Sequence, residues 1–303
     1  MTLRESLDAG AARLSSGPHP ARARRDAETL LLHLTGKNRA WLLAHLDDPF
    51  GGCTAVQFAA LLNRRLTGEP IQYITGEAEF YGLPFHVTPA VLIPRPETEH
   101  LVEQAIALAT IMPGAPSMES AISERHGWET SSVSAWAGSI LDVGTGSGVI
   151  AVTLAHHLPH ARITAIDLSA DALRIAEENA KRNHVAIRFL QGDLLAPVSS
   201  ETFDLIVSNP PYVSSADRDA LDVEVRDFEP AQALFADDDG LEVYRRLIPA
   251  AFRSLAPGGF LVLEIGCGQS DAVNTLLAAA GFQQIHITPD LQGIPRVLTA
   301  QRA

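Results

Sequence analysis

Hydrophobic residues recur along the first 75 positions with a helical period. Leu3, Leu7 and Leu14 share one helical face. Ala27, Leu30, Leu31 and Leu34 follow a 0, 3, 4, 7 spacing, and Phe58, Leu61, Leu62 and Leu66 a 0, 3, 4, 8 spacing. Gly17-Pro18, Gly36 and the run Pro49-Phe50-Gly51-Gly52 break these patterns. Short amphipathic helices bury such stripes only against one another, so residues 1–75 are expected to form a small helical bundle. From Ala78 to Ile93 the pattern turns aromatic and β-branched around Gly82 and Pro84, which predicts a β-hairpin connector over residues 76–95. Pro96 then suits a first helical position, and Glu97 and Glu99 suit the positive end of the helix dipole. Residues 112–138 have no sustained period and are rich in Pro, Gly and Ser, the composition of a flexible insertion.

Beyond Ser139, strands and helices alternate. The expected strands are Ile140–Val143, Arg162–Asp167, Ala186–Leu190, Phe203–Ser208, Phe260–Ile265, Gln283–Thr288 and Arg296–Ala300. Helical patterns cover Val149–His157 and Ala170–Asn183, and another runs through Leu241, Tyr244, Ile248, Phe252 and Leu255. This alternation predicts an α/β domain over 96–303 with a largely parallel, doubly wound sheet. Only Pro289–Pro295 separates the last two strands, too few residues for a crossover helix, so those strands are expected to be antiparallel neighbours.

Charge narrows the choice of partner. Residues 1–95 carry a net +1 and residues 96–303 a net −14. A surface that grips many phosphates needs the opposite sign, so direct nucleic-acid binding is not expected. No run approaches 18 apolar residues, so no membrane span is expected. Arg4, Glu5 and Asp8 stand where a signal peptide would need an apolar stretch, and the two cysteines suffice for neither a disulfide framework nor a zinc cluster. A cytoplasmic monomer without a metal is expected.

The candidate chemistry lies at strand ends. In ILDVGTGSGVIAVTLA, Gly144, Gly146 and Gly148 punctuate a strand–turn–helix transition and let a ligand approach the backbone. The spacing is G-x-G-x-G rather than the dinucleotide G-x-G-x-x-G, which leaves a NAD-type site as a weaker alternative. Asp167 ends the next strand, where an acid accepts hydrogen bonds from ribose hydroxyls. Asp193 ends the third and could face the same adenosine-bearing ligand. The fourth strand runs into Asn209, Pro210, Pro211 and Tyr212. The Asn209 side-chain oxygen and the Pro210 carbonyl make a pair of acceptors suited to a planar –NH2 group, and Tyr212 could offer it an aromatic face. Such a grip favours attack of an amide nitrogen on a sulfonium methyl group, because its hydrogen bonds strengthen as the nitrogen gains positive charge.

The GTGSG loop, the strand-end Asp and NPPY together resemble the class I methyltransferases that use S-adenosylmethionine. FYGLPFHVTPAVLIPRPETE, EVRDFEPAQALFADDDGLEVYRRL, GGFLVLEIGCGQ and DLQGIPRVLTA narrow the resemblance to the PrmC/HemK family of release-factor glutamine N5-methyltransferases, from about Thr67 to the C-terminus. That resemblance implies a Rossmann-like, seven-stranded sheet with an antiparallel last strand, and a substrate-docking role for the helical bundle. It implies methylation of the glutamine of the GGQ motif in peptide chain release factors. Gly144, Thr145, Gly146, Ser147 and Gly148 match the cofactor loop, Asp167 the ribose acid, and Asp193 with Leu194 the adenine surroundings. Leu194 stands where some relatives have Trp. Asn209, Pro210, Pro211 and Tyr212 match the amide-binding motif, with Asn209 also beside the cofactor, and Arg95 and Glu97 have a supporting place near the substrate. The alternatives are a ribosomal-protein glutamine methyltransferase, a DNA adenine-N6 methyltransferase and a non-catalytic cofactor-binding module.

Overall fold

The computed structural model describes residues 1–112 and 136–303; most of the expected insertion at 112–138 lies outside the described residues. The described chain divides into two units, one of residues 1–77 with 220–229 and one of residues 78–219 with 230–303.

The first unit contains the helices Leu3–Leu14, Ala23–Thr35, Arg39–Ala44, Gly52–Leu66 and Ile71–Thr75. Thr2 opens the first with a capping box, its hydroxyl accepting from the Glu5 N–H while the Glu5 carboxylate accepts from the Thr2 N–H. The periodic residues face inward: Leu3, Leu7, Leu14, Ala27, Leu30, Leu31, Phe58 and Leu62 form one apolar core. The helix Val223–Phe228 belongs to this unit, although the sequence pattern groups it with the α/β domain. The physical reason is a buried charge. Arg65 Nε donates to Asp26 Oδ2 at 2.7 Å, and its Nη1 lies 2.5 Å from Glu224 Oε1. Arg22 pairs with the other Glu224 oxygen at 2.9 Å. A guanidinium buried at this depth needs carboxylate partners, and Glu224 supplies one from far along the chain.

In the second unit, β1 (Glu77–Phe80) and β2 (Leu83–His86) form the expected hairpin, with Glu77 as the last residue of the first unit. Its turn residues Tyr81 and Gly82 both have positive φ, as a type I′ hairpin turn requires. The large sheet comprises β3 (Ser139–Val143), β4 (Arg162–Asp167), β5 (Arg188–Gln191), β6 (Phe203–Ser208), β7 (Leu255–Glu264), β8 (Phe282–Pro289) and β9 (Pro295–Arg302). Their order is β5-β4-β3-β6-β7-β9-β8, with β9 antiparallel to both neighbours. Strand β7 starts five residues before the expected Phe260. It passes through Pro257-Gly258-Gly259 by a register irregularity against β6.

Alternation along the strands divides the core between two faces. Ile140, Leu205, Val207, Val262 and Val297 meet the helices Thr98–Ile111 and Val149–His157 on one side. Leu141, Ile206, Leu261, Leu263 and Leu298 meet the helices Glu242–Ser254 and Ser270–Ala279 on the other. Strand β3 pairs with β4 on one edge and β6 on the other, so the winding direction reverses between β3 and β6. In open α/β sheets, ligands sit beyond the carboxyl ends of the strands at such a reversal.

Candidate active site

The loop after β3 is held by main-chain hydrogen bonds to β4 and within itself. The N–H groups of Gly144 and Thr145 both donate to the Ile166 carbonyl, at 2.8 and 3.0 Å, and the Gly148 N–H donates to the Thr145 carbonyl at 2.8 Å. Gly144 and Gly146 have φ of 75° and 56°, and a Cβ at either would meet nothing within 4 Å. Space is therefore left open on the loop's outer side, where a ligand can lie against bare backbone. Asp167 closes the loop from β4. Its Oδ2 accepts from the Gly146 N–H at 2.8 Å and its Oδ1 from the Ser169 N–H at 2.9 Å. Burial pushes the Asp167 carboxyl above its ordinary range, against the pull of these two bonds.

Beneath the loop, Asp142 is fully buried and accepts from the Thr145 hydroxyl at 2.6 Å. Burial raises this carboxyl to about 7, against the pull of the Thr145 hydroxyl and the Ala151 N–H. Asn179 braces the loop from the helix Ala170–Arg182. Its Nδ2 donates to the Ser147 and His86 carbonyls at 2.9 Å each, and its Oδ1 accepts from the His86 N–H at 2.6 Å.

The β6 end stands beside this loop because β3 and β6 pair in parallel, and the Ser208 hydroxyl donates to the Val143 carbonyl at 2.7 Å. Asn209 Nδ2 donates to the Thr98 hydroxyl at 3.1 Å, and Thr98 donates to Glu264 Oε2 at 2.6 Å. The Tyr212 hydroxyl lies 3.5 Å from Glu264 Oε1, and Tyr244 donates to the Glu264 carbonyl at 2.8 Å. Burial raises Glu264 to about 7, while the Thr98 bond and Arg296 draw it down and Glu97 pushes it up.

One cavity of about 290 Å³ joins these parts. Gly144, Thr145, Gly146, Ser147, Asp167, Asp193, Leu194, Asn209, Pro211 and Arg95 all line it. Leu194 reaches it in a left-handed conformation, φ 50°, which is uncommon for a non-glycine residue. Four expected site residues lie elsewhere. Gly148 faces the neighbouring helix, where a Cβ would come within 3.1 Å of Ala176 Cβ. Pro210 is buried, and Glu97 caps the helix that begins at Thr98. Tyr212 packs against the second core with its hydroxyl toward Glu264 and is not among the residues that line the cavity. Asp193 is ion-paired with Arg246, which also lines the cavity.

The residues fit an adenosine-bearing sulfonium compound. The backbone cradle at Gly144 and Gly146 is open, the Asp167 oxygens retain lone pairs for ribose hydroxyls, and Val143, Ile166, Leu168 and Ala172 give the cavity apolar walls. Thr98, Glu264, Asp142 and Asn179 were not expected from the sequence. Glu264 alone left a signal there, as the one acid ending an otherwise apolar strand, by the same rule that marks Asp167.

Residues 5–76 match the PrmC N-terminal domain family and residues 130–238 the Methyltransferase small domain family. The release factor glutamine methyltransferase of Moorella thermoacetica is 42% identical over all of this chain and 99% of that protein. That of Koribacter versatilis is 38% identical over the same shares, and that of Escherichia coli 39% over 90% of each. This chain belongs to the release factor glutamine methyltransferase family. It is an S-adenosylmethionine-dependent methyltransferase of class I fold. In fold the family member also resembles the hMettl16 catalytic domain, solved with an RNA hairpin (TM-score 0.51, 17% identity, 82% of each chain). The 16S rRNA methyltransferase RsmC of Thermus thermophilus has a TM-score of 0.50 at 18% identity, over 75% of this chain and 50% of that one. No helix among the described residues is long and apolar enough to cross a membrane.

Proposed function

We propose that this methyltransferase modifies the side-chain amide nitrogen of the glutamine in the GGQ motif of peptide chain release factors. The observation that carries this reading is the placement of Asn209 and Pro211 on the wall of the cavity that also holds the glycine loop and Asp167. Two acceptors at that corner, Asn209 Oδ1 and the Pro210 carbonyl, suit the two hydrogens of a carboxamide –NH2. The NH2 of an amide is a poor nucleophile because its lone pair is shared with the carbonyl. Holding both hydrogens favours the pyramidal nitrogen, and the hydrogen bonds strengthen as that nitrogen becomes positive. A hydroxyl offers only one hydrogen to the two acceptors and leaves one of them unsatisfied, at a cost of roughly 1–3 kcal/mol. S-adenosylmethionine, held by the loop, Asp167 and the Asp193–Leu194 turn, supplies a methyl group on a positively charged sulfur. Arg95 lines the mouth of the cavity and belongs to the substrate's surroundings. The helical unit is the docking surface for the release factor, and the enzyme works as a cytoplasmic monomer with no nucleic acid or membrane as direct partner.

The test is transfer of labelled methyl from S-adenosylmethionine to a purified release factor, with the modified residue mapped by tandem mass spectrometry. One methyl on the GGQ glutamine is expected. Labelling of ribosomal proteins alone, or of duplex DNA with salt-sensitive binding, would replace this reading.

A further inference from the structure

We propose that Thr98 and Glu264 are positioning residues that orient the Asn209 carboxamide, turning its NH2 inward and leaving Oδ1 for the substrate amide. The inference deepens the proposed function and rests on it for the identity of the group received. Thr98 has one hydroxyl proton. In the geometry observed that proton goes to Glu264 Oε2 at 2.6 Å, so the Thr98 oxygen can only accept at its other contact. The atom it meets, 3.1 Å away, must then be the Asn209 NH2 rather than its carbonyl oxygen. Thr98 and Glu264 are both almost wholly buried, 2% and 1% exposed, so water does not readily take the place of either partner.

The direction of this chain of hydrogen bonds depends on Glu264. While Glu264 is ionised it can only accept, and the order Asn209 to Thr98 to Glu264 is enforced. Once protonated, Glu264 can donate to Thr98. Thr98 then spends its own proton on Asn209 Oδ1, and the carboxamide turns its NH2 toward the substrate, where it meets another donor. The groups facing Glu264 are Thr98 and Glu97 at the start of their helix, Tyr212 after β6, Tyr244 at its main-chain carbonyl and Arg296 on β9. Methyl transfer should therefore rise with pH through about 7.

The first test needs no substrate. In protein labelled with 15N-asparagine, the Asn209 side-chain NH2 resonances are followed from about pH 5.5 to about 8.5. A shift with its midpoint near 7 is expected in the wild type, and loss of that shift in Thr98→Val and in Glu264→Gln. An Asn209 signal indifferent to pH, or equally responsive in both variants, overturns the proposal. The second test is kinetic. Thr98→Val should lower kcat about tenfold or more with KM for S-adenosylmethionine unchanged, Thr98→Ser should restore most of it, and Glu264→Gln should flatten the rise with pH. Wild-type turnover by Thr98→Val likewise overturns it. A wild-type enzyme that titrates at Asn209 but methylates no release factor would leave the positioning role standing and remove the proposed substrate.

Discussion

Replacing Asn179 by leucine removes a brace that three main-chain groups share. The side chain is fully buried and serves the Ser147 carbonyl, the His86 carbonyl and the His86 N–H, at 2.6–2.9 Å. Leucine has the same branched set of side-chain heavy atoms, with bulkier methyl ends, and offers none of these bonds, so the penalty is the loss of partners and some overpacking rather than a cavity. A buried main-chain group without a partner costs about 1–3 kcal/mol. Ser147 is buried and is charged in full, whereas His86 is half-buried and its two groups take the lower end. The expected loss is about 3–5 kcal/mol, or roughly 6–20 °C in the melting of a unit this size. Scanning calorimetry reads the transition, and titration with S-adenosylmethionine should show weakened binding because Ser147 belongs to the glycine loop. Asn179→Asp keeps the acceptor for His86 but turns a carboxylate toward two carbonyls, so it should be no better at neutral pH and should recover partly on acidification. A leucine variant that melts within about 2 °C of the wild type and binds the donor normally would refute the brace.

Asn209→Ala should abolish methyl transfer while calorimetry shows S-adenosylmethionine still bound. Gly148→Ala should destabilise the catalytic unit by about 1–3 kcal/mol in denaturant unfolding, since φ is 83° and the new methyl would come within 3.1 Å of Ala176. Asp142 has its carboxyl raised to about 7 in the fold, so its contribution to stability is greatest in acid and is lost as pH rises through 7. Asp142→Asn should remove roughly 3 kcal/mol of that pH dependence, read as the difference between variant and wild-type unfolding at about pH 5 and about pH 9. Arg65→Met leaves Asp26 without its guanidinium and Glu224 with Arg22 alone of its two, and the helical unit should lose about 3–5 kcal/mol in thermal unfolding.

What the sequence makes legible is what neighbouring residues encode. Ile140 and Leu141 alternate between the two core faces. Gly144 to Gly148 with Asp167, and Asn209 at the end of β6, announce themselves by strand-end chemistry within a few positions. The antiparallel end of the sheet follows from a connection too short for a helix. The arrangement behind the site is not encoded in this way. Thr98 meets Glu264 across 166 positions, and Asn179 meets His86 across 93. No period or spacing relates such pairs, because only the closed sheet brings them together. The ring of Tyr212 illustrates the same limit. An aromatic residue at the rim suggests a stacking face, and nothing beside it in the sequence announces the apolar core it packs against or the carboxylate at the end of β7 that its hydroxyl approaches.

The remote origin of Glu224 also bears on how the protein is made. Arg65 leaves the ribosome 159 residues ahead of this carboxylate, a delay of roughly 8–30 s at ordinary rates of elongation. Throughout that interval the nascent helices lack the partner that completes their charge network. A polypeptide ended at position 77 would lack Glu224 permanently, so the first unit is contiguous in space but drawn from two distant stretches of the gene.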